Sequence, residues 1–257
     1  MSADTANAKA AANDREPKDK LILSIHIPKT AGTRFGEVLK SHYGDAFANY
    51  YGADDQRTHP AVKVRAKDLS AAHLNELALS GVKVLHGHMT GRALVRAGCE
   101  PKQIHCFLRE PIEHTISRYH FSKVNPGTHP ELRKRFDDGL NMEDFAALPK
   151  SRNFQSGYIY PLKLHEIGFV GITEFFSQML PLIDLPDIAA KANVNEAKPH
   201  VDIDTRERLI PHLSSDIALY SSALELAIRR LGLRDTRRRT RYKRSVSDLA
   251  RRFGAPG

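Results

Sequence analysis

Tryptophan is absent from the 257 residues and cysteine occurs only twice. No apolar run approaches the ~18 residues that span a bilayer as a helix. Without Trp, a sugar cleft built on indole stacking is disfavoured, although eight Tyr remain. Cys99 sits beside a glycine in a turn-like stretch and Cys106 inside an apolar run, so a disulfide framework is not expected. The first twenty residues, MSADTANAKAAANDREPKDK, have no apolar core of the kind a secretory signal requires. Also missing is Gly-x-x-x-x-Gly-Lys-Ser/Thr, which argues against an ordinary ATPase or GTPase loop. No cysteine or carboxylate stands at zinc-like spacing from the histidine pair His86 and His88, and no metal is expected.

What is present is an alternation of strand and helix patterns. Leu21 to Ile27 (LILSIHI) is a nearly continuous apolar run, as in a strand buried on both faces of a parallel sheet. After a turn from Pro28 to Gly32, Phe35, Val38, Leu39 and His42 recur at helical spacing. A second helix is expected from Ser70 as N-cap, through Leu74, Leu77 and Ala78, to Gly81 as terminator. Val82 to His86 and Gln103 to Leu108 read as strands, and Pro111 opens a helix with Ile112, Thr115, Ile116 and Tyr119 on one face. Ser122 to Leu140 reads as a long polar loop or lid. Asn141 and Asp144 signal a helix start, Phe169 to Ile172 a strand, and Phe175 to Ile183 a helix. A last helix carries Ile217, Tyr220, Leu224, Ala227, Ile228 and Leu231.

This order predicts a three-layer α/β/α domain around a central parallel sheet, with its ligand at the carboxyl ends of the strands. The expected organisation is a disordered leader over residues 1–19, one domain over 20–233 and a basic tail over 234–257. Lys and Arg number 39 against 30 Asp and Glu, a formal charge of +9. Such an excess favours anionic partners, and much of it lies between Arg234 and Arg252.

Three motifs fall at strand ends. Ile25-His26-Ile27-Pro28-Lys29-Thr30-Ala31-Gly32-Thr33 places a lysine, a glycine and two hydroxyls between a buried strand and an amphipathic helix, where free backbone N–H groups and an ammonium make an anion site. The bland alternative is an ordinary turn whose Thr33 caps a helix and whose Lys29 is solvated. Phe107 to Phe121 (FLREPIEHTISRYHF) puts Arg109 at a strand end and Ser117 two turns into the next helix, a forked cation and a hydroxyl able to meet one phosphate. Here the alternative is an Arg109–Glu113 ion pair with Ser117 merely exposed. His86-Gly87-His88 ends the strand between them. We read its two imidazoles as facing opposite ways, one packed in the core and the other solvated.

HIPKTAGT resembles the 5′-phosphosulfate loop of the carbohydrate sulfotransferases that use 3′-phosphoadenosine 5′-phosphosulfate (PAPS), in the branch containing heparan sulfate 2-O-sulfotransferase. FLREPIEHTISRYHF is similar to that family's 3′-phosphate element, an Arg followed eight positions later by a Ser. HGH resembles the segment carrying the catalytic base. Weaker similarity continues through Asn153 to Gly157, Gly168 to Phe176, Asn193 to Asn195 and Asp216 to Ala223, so the resemblance covers roughly residues 20 to 232.

The resemblance implies a P-loop-kinase-like fold and sulfuryl transfer from PAPS to a hydroxyl acceptor, a carbohydrate above all. It implies Pro28, Lys29, Thr30, Ala31, Gly32, Thr33, Arg109 and Ser117 as donor-binding residues, with His88 as general base, His86 as its support and Lys29 at the leaving group. Lys198 is a further candidate for a nucleotide phosphate. In that family an animal protein of the secretory pathway has an N-terminal anchor, so a cytoplasmic protein, of a bacterial or truncated form, is expected. The rival readings are a nucleotide-dependent kinase and a non-catalytic polyanion-binding module using the basic tail.

Overall fold

A computed structural model describes residues 20–125, 130–187 and 200–232. The leader, the basic tail, Asn193 to Asn195 and Lys198 lie outside the described residues. Strands β1 (Ile22–Ile25), β2 (Phe47–Tyr50), β3 (Val84–Gly87), β4 (Ile104–Leu108) and β5 (Phe169–Ile172) form one sheet in the order β2-β3-β1-β4-β5. Every neighbouring pair is parallel. The connections carry helices α1 (Gly32–Tyr43), α2 (Ala71–Leu79) and α3 (Gly91–Arg96), then α4 (Pro111–Val124), α5 (Pro130–Asp137), α6 (Met142–Ala147) and α7 (Phe154–Ile159). After β5 come α8 (Phe176–Met179), α9 (Ile203–Leu209) and α10 (Ser214–Arg230). A parallel sheet flanked by helices is the three-layer α/β arrangement expected from the alternating pattern.

Register decides what each face of the sheet carries. Leu23 lies beside Leu85 and Ile104, and Ile25 beside Gly87 and Cys106, so one face is aliphatic. The other face carries Ser24 beside His86 and His105, with His105 beside Phe169. On this face Phe35 of α1 meets Phe107 with ring centroids 4.9 Å apart, and Phe107 meets Phe169 at 5.6 Å and Phe176 at 4.8 Å. A second apolar cluster joins Ile112, Ile116 and Tyr119 of α4 to Phe145 of α6 and Leu209 of α9.

Several local expectations need correction. Strand β2 and helices α3, α5, α7 and α9 are additional to the elements read from the sequence. The polar stretch Ser122 to Leu140 is largely helical where described: α4 continues to Val124, and α5 anchors through Phe136, whose ring lies 5.5 Å from that of Tyr119. The helix expected over Phe175 to Ile183 is broken into the short α8 flanked by 3₁₀ turns, because Pro181 has no N–H to continue it. His42 is exposed, so the core stripe of α1 ends at Leu39. Ser70 takes the N-cap position of α2, but its hydroxyl pairs with His73 Nδ1 at 2.7 Å instead of capping the backbone.

Phe107 is 2% exposed and touches three other aromatic rings. Phe107→Ala is expected to lower the unfolding free energy by about 3–5 kcal/mol, read from urea titration at neutral pH.

Candidate active site

Strand β1 has β3 on one side and β4 on the other, so the segments following these three strands emerge side by side. The chain leaves β1 towards the β3–β2 edge and leaves β4 towards β5. Adjacent strands whose connections depart in opposite directions frame a crevice at their carboxyl ends, the usual ligand position in an open parallel sheet.

The β1–α1 loop lines that crevice. Lys29 (φ 71°) and Ala31 (φ 63°) both take positive φ, costly for residues with a Cβ. Alternating backbone handedness of this kind turns successive N–H groups inward as an anion-binding concavity. Helix α1 follows with Ala31 at its N-cap, no capping side chain and no acidic residue in its first turn, so its N-terminal dipole is open to an anion. Thr30 is not a free donor: its N–H and hydroxyl both go to the Ile27 carbonyl, at 3.3 and 2.9 Å. Thr33 is exposed at the helix start. Gly32 is required sterically, since a Cβ there would overlap the His26 ring.

Helix α4 supplies the other wall. Arg109, just beyond β4, donates from Nη1 to the Lys29 carbonyl at 3.2 Å. His114 Nε2 lies 2.9 Å from the Pro28 carbonyl and, facing an acceptor, must carry the proton. Lys29 Nζ lies 4.6 Å from the centroid of the Phe121 ring. Partial burial first, and then the nearby Arg109 charge, holds the Lys29 ammonium below the usual lysine range. Glu113, Ser117 and Phe121 succeed one another at four-residue spacing on one face of α4. Arg109 approaches Glu113 and Lys29 covers Phe121, which leaves Ser117 between the two cations. The Arg109–Glu113 pairing foreseen as the bland alternative is present only at 4.0 Å, whereas Glu113 is held at 2.6 Å by Arg206 of α9.

Across β1 lies a histidine cluster. His86 is 1% exposed and bonds Ser24 Oγ through Nδ1 at 2.8 Å, while His88 is open to solvent. The core-and-solvated division therefore holds, but the two rings do not diverge. Alternate residues of an extended chain share a face. The His26 ring stacks on His86 at 5.2 Å and meets His88 edge-on at 4.8 Å. Gly87 between them is required because a Cβ would overlap the Tyr50 carbonyl of the neighbouring strand β2. Tyr51 adds a ring 4.9 Å from His88, and Arg57 covers that ring at 4.1 Å. Partial burial, then Arg57, keeps the His88 pKa below the usual histidine range, with Asp55 opposing. His88 is consequently neutral at pH 7.

His26, Tyr51, Arg57, His114 and Gln155 carry no role in the sequence reading. His26 and His114 stood inside quoted motifs. Tyr51 and Arg57 had no signal, because the strand that presents them was not anticipated. Among the described residues no group of three or more His, Cys, Asp or Glu is placed to hold a metal ion. No described helix is long and apolar enough to cross a membrane. Comparison with models of protein families finds no match for this chain, and a search of curated proteins finds none either.

Burial drives the pKa of both His26 and His86 down to about 3, against 6.5 for a free imidazole. Between these values the unfolded chain binds protons that the native state refuses, so stability falls as pH drops from 6.5 towards 3. His86→Gln, which retains a partner for Ser24 without titrating, should flatten this slope in urea midpoints measured from pH 7 to pH 4.

Proposed function

We propose that the protein is a PAPS-dependent sulfotransferase of P-loop-kinase-like fold, transferring a sulfuryl group to a hydroxyl, most readily that of a carbohydrate. One observation carries the reading: the three motifs that resemble the family's 5′-phosphosulfate loop, 3′-phosphate element and base segment emerge from adjacent strands, with Arg109 bonded directly to Lys29. The chemistry of the crevice suits a nucleotide carrying two separate anionic groups. The 5′-phosphosulfate fits the N–H groups opening α1, the exposed Thr33 hydroxyl and Lys29. The 3′-phosphate fits Arg109 and Ser117. Thr30 then serves by shaping the loop, its own donors being taken up by Ile27.

In this scheme the acceptor oxygen attacks sulfur in line, the bond from sulfur to the bridging phosphate oxygen breaks, and the acceptor proton passes to neutral His88. The products are a sulfate ester and adenosine 3′,5′-bisphosphate. Lys29 stabilises the charge that develops on the departing 5′-phosphate. The acceptor reaches the base from the Tyr51–Arg57 side of the sheet, away from the 3′-phosphate wall.

Two outcomes test this. Adenosine 3′,5′-bisphosphate should raise the melting temperature well above what AMP achieves, and Arg109→Ala should erase most of that difference; equal effects of both nucleotides on the wild type would refute the assignment. With an acceptor in hand, His88→Ala should keep nucleotide affinity while single-turnover transfer slows by ~10²–10⁴. Because the His88 pKa is depressed, the acid limb of the wild-type rate should lie below pH 6.5 and vanish from residual activity of the variant.

A further inference from the structure

Arg109 is the first residue past the β4 ladder, which ends where Leu108 pairs with Ile172. Its main-chain N–H and carbonyl have no strand to pair with, yet they are satisfied. The N–H donates to Gln155 Oε1 at 2.9 Å, and Gln155 Nε2 donates back to the Arg109 carbonyl at 2.9 Å. The primary amide of one glutamine thus takes the place of a neighbouring strand, and the reciprocal pairing also settles which way the amide faces.

Gln155 is itself immobilised. It is 1% exposed in the first turn of α7, and its own N–H donates to Asp216 Oδ2 at 3.1 Å. Ser156 N–H donates to the other carboxylate oxygen at 2.7 Å. In return Asn153 Oδ1 accepts from the N–H groups of Ser215 and Asp216, at 2.9 and 3.4 Å. The starts of α7 and α10 therefore cap one another. Asn153 holds a left-handed conformation, φ 47° and ψ 46°, at the centre of this arrangement. A chain of hydrogen bonds runs from Asp216 through Gln155 to the Arg109 backbone, and from the Arg109 guanidinium to the Lys29 carbonyl.

We infer that Gln155 is a positioning residue for Arg109, and through it a determinant of selectivity for a nucleotide carrying a 3′-phosphate. The inference rests on the nucleotide reading given above. An arginine fork discriminates only if its base is fixed, because a guanidinium on a loose backbone pairs with an anion wherever one lies. Gln155 fixes the height of Arg109 above the strand end without contacting the crevice anion. Amide pairing does this where a charged partner would compete with the phosphate for the guanidinium.

The test is titration calorimetry with two probes, adenosine 3′,5′-bisphosphate and AMP, on wild type, Arg109→Ala and Gln155→Met. Methionine keeps the volume and removes both hydrogen bonds. The bisphosphate-to-AMP affinity ratio should fall about tenfold in Gln155→Met, the scale of losing one or two positioning hydrogen bonds, with AMP affinity nearly unchanged. Equal weakening of both probes would mean that Gln155 supports the fold only, and an unchanged ratio would mean that it does not position Arg109. Either result overturns the inference. Should Gln155→Met fail to fold, Gln155→Glu carries the same expectation: it keeps the size and the acceptor for the Arg109 N–H, but sets an oxygen against the Arg109 carbonyl. A wild type with no preference for the bisphosphate removes the nucleotide reading and this inference together. A wild-type preference lost in Arg109→Ala but retained in a folded Gln155 variant removes only the inference.

Discussion

The central position of β1 governs everything else in the molecule. With β3 on one side and β4 on the other, three segments far apart in the chain end in one row, and the loop between them is held from both directions. From the β4 side, Arg109 and His114 bond the Lys29 and Pro28 carbonyls. From the β3 side, His86 packs against α1 so tightly that a Cβ on Gly36 would come within 2.8 Å of its Nε2. Lys29 and Ala31 take positive φ within this bracket, and such residues persist only where their surroundings over-determine them.

The two walls differ in character, and that difference divides the chemistry. The α4 wall is cationic, with Arg109 and Lys29 bracketing Ser117 along one helix face. The β3 wall is made of imidazole and phenol rings. Burial there keeps His26 and His86 uncharged at physiological pH, and partial burial, then Arg57, disfavours a proton on His88. In the proposed function, anion binding and proton acceptance fall on opposite sides of β1. A neutral imidazole beside a cationic pocket suits the proposed transfer from an anionic donor to a hydroxyl. The buried imidazoles make the native state sensitive to acid, a cost set by the same packing.

Much of this was legible in the sequence, for identifiable reasons. Strands buried on both faces leave continuous apolar runs, so β1, β3, β4 and β5 were all read within a residue or two of their ends. The glycines of His-Gly-His and of the β1–α1 loop were visible, and the structure supplies their steric purpose. Strand β2 escaped because Phe47–Tyr50 is four residues long and is separated from the end of α1 only by the 3₁₀ turn Gly44–Ala46, and Tyr51 and Arg57 escaped with it. Short helices such as α7 leave no periodicity to detect. The role of Gln155 depends on Asp216, sixty-one residues away, a relation that no local pattern encodes. The relative placement of His86 and His88 was misjudged from the spacing alone, although a period of two residues puts both on one face.

The central claim is that one bisphosphorylated nucleotide bridges the loop that follows β1 and the element that follows β4, and a crystal structure with adenosine 3′,5′-bisphosphate bound tests it most directly. The account predicts the 5′-phosphate on the N–H groups of Gly32 and Thr33, with Lys29 Nζ drawn off the Phe121 ring towards it, and the 3′-phosphate within hydrogen-bond distance of both Arg109 and Ser117. A nucleotide lying elsewhere, or one whose 3′-phosphate points to solvent while Arg109 stays on Glu113 and the Lys29 carbonyl, would contradict it.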